Sequence, residues 1–176
     1  MGLAFVLLAL PGQGGNYWTT FFPGIVLLGL GMATSAAPLT TVVMTSVGAD
    51  RAGVASGANN AVARVAALLA IAVFGVAMLH TFDGALDRRL DSLELSPEAR
   101  HLLDNDRAKL AAMEPPGALS LETAVSVRRG IVDSFIVGFR WVLTLAAALA
   151  VLGALIAWLV VENRQYYQSR DVTPPK

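Results

Sequence analysis

The stretch that decides the fold is Gly48-Ala-Asp-Arg-Ala-Gly-Val-Ala-Ser-Gly-Ala-Asn-Asn-Ala-Val-Ala-Arg64. It opens as a short polar turn, continues as a run of small residues, and ends in a charge. Long apolar segments flank it. Upstream, Phe21 to Val47 holds 27 residues without a charge. Downstream, Arg51 to Leu79 carries only one further charge, Arg64. A rise of about 1.5 Å per residue lets each segment cross a hydrocarbon core of about 30 Å. The stretch therefore reads as the tight loop between two membrane-spanning helices, together with the first half of the second.

The composition agrees. Of 176 residues, 55% are hydrophobic and 15% charged, and the mean hydropathy is +0.60. Soluble domains carry about 25% charged residues. Thirteen basic residues balance thirteen acidic ones. There is no basic stripe for nucleic acid. No cysteine is present, and His80 and His101 lie far apart, so neither a disulfide framework nor a metal site is expected. No GxSxG, HExxH or P-loop motif occurs, so an enzyme and a cofactor are not expected either.

Outward from the turn, Gly2 to Leu10 is apolar but too short to span, and Pro11 to Gly15 breaks it. It reads as the end of a longer helix. Tyr17, Trp18, Phe21 and Phe22 suit a membrane interface. Pro23 suits a helix start, whereas Pro38 should bend its helix near Thr34. Thr34, Ser35, Thr40 and Thr41 are placed to satisfy the carbonyls that Pro38 frees. Gly24, Gly29 and Gly31 permit close helix approach, as do Gly53, Gly57 and Ala61, which fall four apart on one face.

Residues 81–130 form the hydrophilic loop. Phe82, Leu86, Leu90 and Leu93 repeat at helical spacing. Ser96-Pro97 reads as an N-cap with proline in the first turn. The helix it starts should run to about Met113, with Leu102, Leu103 and Leu110 on its apolar side. Pro115-Pro116-Gly117 ends it, and Ser120 should cap a third helix leading into the next span. Residues 131–161 are that span, with Ala146, Ala150 and Ala154 as a small-residue stripe. A polar tail, 162–176, follows; Trp158, Tyr166 and Tyr167 mark the interface.

Arg64, Asp133 and Arg140 are the charges that enter the spans. Arg64 lies 13 residues past Arg51, so ~20 Å along the helix. Insertion scales put an arginine at a helix centre at ~2.5–3.5 kcal/mol. It needs a partner or a wet cavity, and Asn60 sits one turn earlier on the same face. Asp133 and Arg140, seven apart, share a face, which suggests a pair between them or between Asp133 and Arg64. Arg64, Asn60, Asp133 and Arg140 are thus the candidates for substrate or proton coupling. The alternative is structural: Arg64 as a clamp and Arg140 reaching the interface. The long loop carries seven basic residues. The positive-inside rule is weakest for long loops, so charge alone does not orient the chain.

Pro23-Gly-Ile-Val-Leu-Leu-Gly-Leu-Gly-Met32, Pro38, Arg51-Ala-Gly-Val-Ala-Ser-Gly57, Asn60 and Arg64 together resemble the major facilitator superfamily. They look most like the C-terminal end of its fourteen-span EmrB/QacA-type drug:proton antiporters. The resemblance runs from about Gly2 to Val161. Where that branch has a Gly-rich segment after its arginine, this chain has Val65-Ala-Ala-Leu-Leu-Ala-Ile-Ala72.

The resemblance implies an all-α, multi-pass transmembrane fold: a C-terminal fragment with three full spans (18–47, 52–80 and 131–161) and one partial span (2–10). It implies a cell-membrane location, the turn and tail in the cytoplasm and the loop outside. The implied activity is proton-coupled export of small amphiphilic compounds by alternating access. The implied partners are the lipid bilayer, an amphiphilic substrate, protons, and a missing N-terminal half or another membrane subunit. The other readings are a small membrane protein acting by helix association, or a transporter remnant without transport of its own.

Overall fold

The computed structural model describes residues 1–12, 14, 16–45 and 48–168, and leaves undescribed the side chains of 37, 39, 40, 43–45, 49 and 160–168. The side chain of Thr40, the side chains of 162–168 and the remaining tail residues 169–176 therefore lie outside what is described. All described regular structure is helical. Helix α1 is Gly2–Ala9, α2 Tyr17–Thr20, α3 Phe22–Thr45, α4 Ala52–Leu90, α5 Pro97–Asn105 and α6 Leu121–Gln168. Short 3-10 turns cover Ala49–Arg51 and Arg107–Ala112.

The expected boundary between span and loop does not interrupt the helices. Helix α4 runs 39 residues, through the expected end at residue 80 to Leu90. Helix α6 runs 48 residues and starts at Leu121, ten residues before the expected span. At about 1.5 Å per residue, α4 is ~58 Å long, which exceeds an apolar core of about 30 Å. The surplus lengths of α4 and α6 stand side by side as the walls of a small cap. Helices α4 and α6 are each long and apolar enough to cross a membrane; within α3 the apolar stretch Phe22–Ala36 is shorter.

The register of α4 against α6 is antiparallel. An ideal Cβ on Gly138 would sit 2.8 Å from Met78 Sδ, and one on Gly130 would sit 3.7 Å from Arg89 Cβ. As numbers rise on one helix they fall on the other. Helix α1 lies between α3 and α6: Gly2 faces Ala147, Ala150 and Val151, while Gly24 faces Leu8 and Gly31 faces Met1.

The hydrophobic core sits in the cap. Phe82, Leu86 and Leu90 from α4, Leu103 from α5, Met113, and Val127 and Ile131 from α6 are buried together. Burying such side chains is worth about 1.5–3 kcal/mol each, which is what folds the hydrophilic loop into a compact unit. Two local signals work as expected. Ser96 Oγ accepts the Ala99 N–H at 3.2 Å, with Pro97 in the first turn. Ser120 Oγ accepts the Thr123 N–H at 3.2 Å and starts α6.

The second loop helix departs from expectation. It stops at Asn105, and the chain then makes a 3-10 turn broken at Leu110, where φ is +53 and ψ −126. Beyond that left-handed break, Met113 is buried in the core. Leu103 is buried as expected, but Leu102 is 50% exposed.

Candidate functional site

The polar groups fall into three places. The first is the seam between cap and spans. Arg89 Nη1 donates to Asp133 Oδ2 at 2.7 Å, joining α4 to α6. Arg140 Nη2 donates to the carbonyl oxygens of Leu10 at 2.9 Å and Pro11 at 3.2 Å. Those carbonyls lie just past the end of α1, where helical acceptors lack partners, so Arg140 holds the end of α1 on α6.

The second place is the partly exposed polar side of the cap. Arg107 forms ion pairs with Asp83 at 3.4 Å, with Asp87, and with Asp104 at 2.6 Å. Arg100 pairs with Asp87 at 3.2 Å and with Asp91 at 2.7 Å. Asp87, beyond the apolar part of α4, is the shared acceptor. The hydrogen bond from Arg107 holds its carboxyl below the usual value, against the effect of burial, and the charges of Arg107 and Arg100 add to the lowering. The same bond raises Arg107 above its ordinary value. Arg128 donates to the carbonyls of Met113 at 2.8 Å and Ala111 at 3.2 Å, closing the bend onto α6.

The third place is the first half of α4. Arg64 and Asn60 are exposed there, and no hydrogen bond or ion pair joins Arg64 to another described residue. Cβ atoms added at Gly53 and Gly57 would meet nothing within 4 Å, and Ala61 is exposed. The stripe expected to pack helices has no neighbour among the described residues.

The expected pairing of Asp133 with Arg64 does not form. Asp133 meets Arg89, which lies 25 residues beyond Arg64 on the same helix, ~37 Å away. The partner shown for Asp133 is Arg89, while Arg140 reaches the end of α1. The four candidates thus do not converge on one site. Arg89 went unmarked in the sequence because it falls in a charged run, 44 residues from its partner.

Around Pro38 the structure holds a largely apolar groove of ≈ 610 Å³ between α1, α3 and α6, lined by Met1, Ser35, Pro38, Val42, Val151 and Ala154 among others. Pro38 lies inside α3. The hydroxyls of Thr34 and Ser35 point a turn back, to Leu30 and Gly31, rather than to the Thr34 carbonyl that Pro38 frees. Gly31 is used for close approach to Met1, whereas Gly29 faces open space. No group of metal-ligating side chains occurs among the described residues.

The chain is similar to drug-resistance and export proteins. It is 30% identical over 142 residues to the multidrug resistance protein Stp of Mycobacterium tuberculosis, covering 77% of this chain and 26% of that protein. It is 30% identical over 135 residues to the tetracenomycin C resistance and export protein of Streptomyces glaucescens, covering 75% and 25%. The chain thus spans about a quarter of the length of the curated relatives it matches. No family model matches the chain. No solved structure matches it significantly.

Proposed function

We propose that the chain is a membrane-embedded part of a proton-coupled exporter of small amphiphilic compounds, of the EmrB/QacA type within the major facilitator superfamily. The observation that carries this reading is the similarity to a multidrug resistance protein and to a resistance and export protein over about three quarters of the chain. In the reading, three helical segments (18–47, 52–80 and 131–161) cross the cell membrane and 2–10 crosses in part. The cap lies outside, and the turn and tail face the cytoplasm. The substrate is held between this bundle and another, and rocking of the bundles alternates access. The role is transport, without catalysis or a cofactor.

Accumulation of a fluorescent cationic dye in efflux-deficient cells tests it. The chain is expressed alone and together with a polypeptide supplying the part of the Mycobacterium relative that it does not match. The paired chains should lower accumulation, and a protonophore should restore it. Unchanged accumulation in both cases rejects export. Lowered accumulation that ignores the protonophore rejects proton coupling.

The open first half of α4 favours a second reading, a small membrane protein that acts by helix association. That reading expects the chain alone to form an oligomer of defined mass in detergent, measured by light scattering.

A further inference from the structure

Arg64 is the one charge between Arg51 and Asp83 on α4. It lies ~20 Å from Arg51 and ~24 Å from His80 along the helix. Both distances exceed what an arginine side chain can reach, so it cannot bring its charge to either end of an apolar span. Around it, Gly57, Asn60, Ala61 and Leu68 share its face at helical spacing, and all are exposed. Gly57 and Ala61 leave room for another backbone, and Asn60 adds a second polar group one turn away.

The charges of this chain limit what can cover that face. Helix α3 carries no acidic residue, and on α4 the nearest carboxylate after Arg64 is Asp83. On α6, Asp133 is spoken for by Arg89 at the cap end, and the next acidic residue is Glu162. In a parallel pair of copies, Arg64 would meet only another Arg64 at its own depth. A second copy therefore brings a like charge and no counter-charge.

We propose that this face of α4 docks against a transmembrane helix of a different polypeptide segment, one that carries an aspartate or glutamate near mid-depth. That carboxylate pairs with Arg64, and Asn60 hydrogen-bonds alongside. A guanidinium and a carboxylate brought together in hydrocarbon satisfy each other in a way neither can with lipid. The proposal rests on the membrane placement in the reading above, and on neither the substrate nor the coupling ion.

The probe is a synthetic Leu/Ala transmembrane peptide with one central Asp, compared with the same peptide carrying Ala or Lys there. The purified protein has no cysteine of its own, so Asp50→Cys in the turn takes a single fluorophore, and the peptides take the matching acceptor. Both are placed in phosphatidylcholine vesicles. Flotation of the protein with the vesicles is measured first, and its absence overturns the membrane placement together with the proposal.

With flotation established, energy transfer to the Asp peptide should exceed that to the Ala and Lys peptides. Arg64→Leu should reduce it to the Ala level, and Arg64→Lys should retain it in part. Equal transfer to all three peptides overturns the pairing while leaving the membrane placement intact. So does Asp-peptide binding that survives Arg64→Leu. Transfer between two labelled copies that is unaffected by Arg64→Leu assigns the face to a second copy and also overturns the proposal.

Discussion

Arg89 on α4 and Asp133 on α6 are joined by a 2.7 Å hydrogen bond, 44 residues apart in sequence, where the cap meets the spans. Below this point α4 and α6 stay in contact through Met78 and Gly138. Helix α4 also touches α3, while its face at Gly53, Gly57, Ala61 and Arg64 stays open. The pair therefore adds a polar tie at the cap end of a helix contact that packing continues beyond it.

Both side chains of the pair are partly exposed, at 42% and 35%. Its worth should fall in the range of exposed pairs, about 0.2–1 kcal/mol. A double-mutant cycle with Arg89→Leu and Asp133→Asn, followed by thermal unfolding in detergent, should return a coupling of that size. A coupling near zero would show that packing alone aligns the helices.

The cap core should respond to truncation as a close-packed interior does. Leu103→Ala should cost about 2–5 kcal/mol, and Leu102→Ala, at a half-exposed position, well under 1 kcal/mol. Hydrogen exchange of the α5 amides reads the difference. Equal effects at the two positions contradict the observed burial.

Gly138 and Gly75 should diverge on substitution by alanine. A Cβ on Gly138 would come within 2.8 Å of Met78 Sδ and 3.3 Å of the Met78 carbonyl, so Gly138→Ala should displace the Met78 side chain and move the helices apart by a few tenths of an ångström, at a cost in stability. Gly75 faces nothing within 4 Å, and Gly75→Ala should stabilise the helix by about 0.5–1 kcal/mol. Melting temperatures that move in opposite directions fit the register; a shift of the same sign and size does not.

The cap should loosen in acid. Asp87 titrates below its ordinary value of 3.8 in the folded protein, so its contribution is complete above that value and is lost as pH falls through the lower, folded one. Protection factors in α5, the intrinsic exchange rate at each pH divided by the observed one, should fall below about pH 4. Asp87→Asn should flatten that acid step. An unchanged step places the titrating group elsewhere.

Arg140→Ala should free the end of α1, because both bonds from α6 to Leu10 and Pro11 come from one guanidinium nitrogen. A single cysteine at Leu7 should then react faster with a thiol reagent, and Arg140→Lys should show an intermediate rate. No change in rate would mean that packing against α3 and α6 suffices.

Local signals carried much of the fold into the sequence. Ser96 with Pro97 and Ser120 start their helices as written, because a cap involves only residues two or three apart. The apolar spacing of Phe82, Leu86 and Leu90 named three members of the core. The end of α5 was not legible, because the chain leaves the helix at Asp106 and turns again at Leu110, and no glycine or proline marks either place. Of the candidate site residues, the sequence marked Arg64 and Arg140 as charges needing an explanation. It did not contain Arg140's bonds to Leu10 and Pro11, 130 and 129 residues away.

By itself the sequence determined the class: helices long and apolar enough to cross a membrane, a polar region between two of them, and one arginine deep in α4. Those properties follow from composition and local periodicity, which need no partner. Only the tertiary structure decided that the polar region is a cap built on extended α4 and α6, that Asp133 meets Arg89, and that the Arg64 face stays open. These depend on the antiparallel register of helices distant in sequence. That register is set by burial in the cap and by close approach at Gly138, which no local pattern encodes.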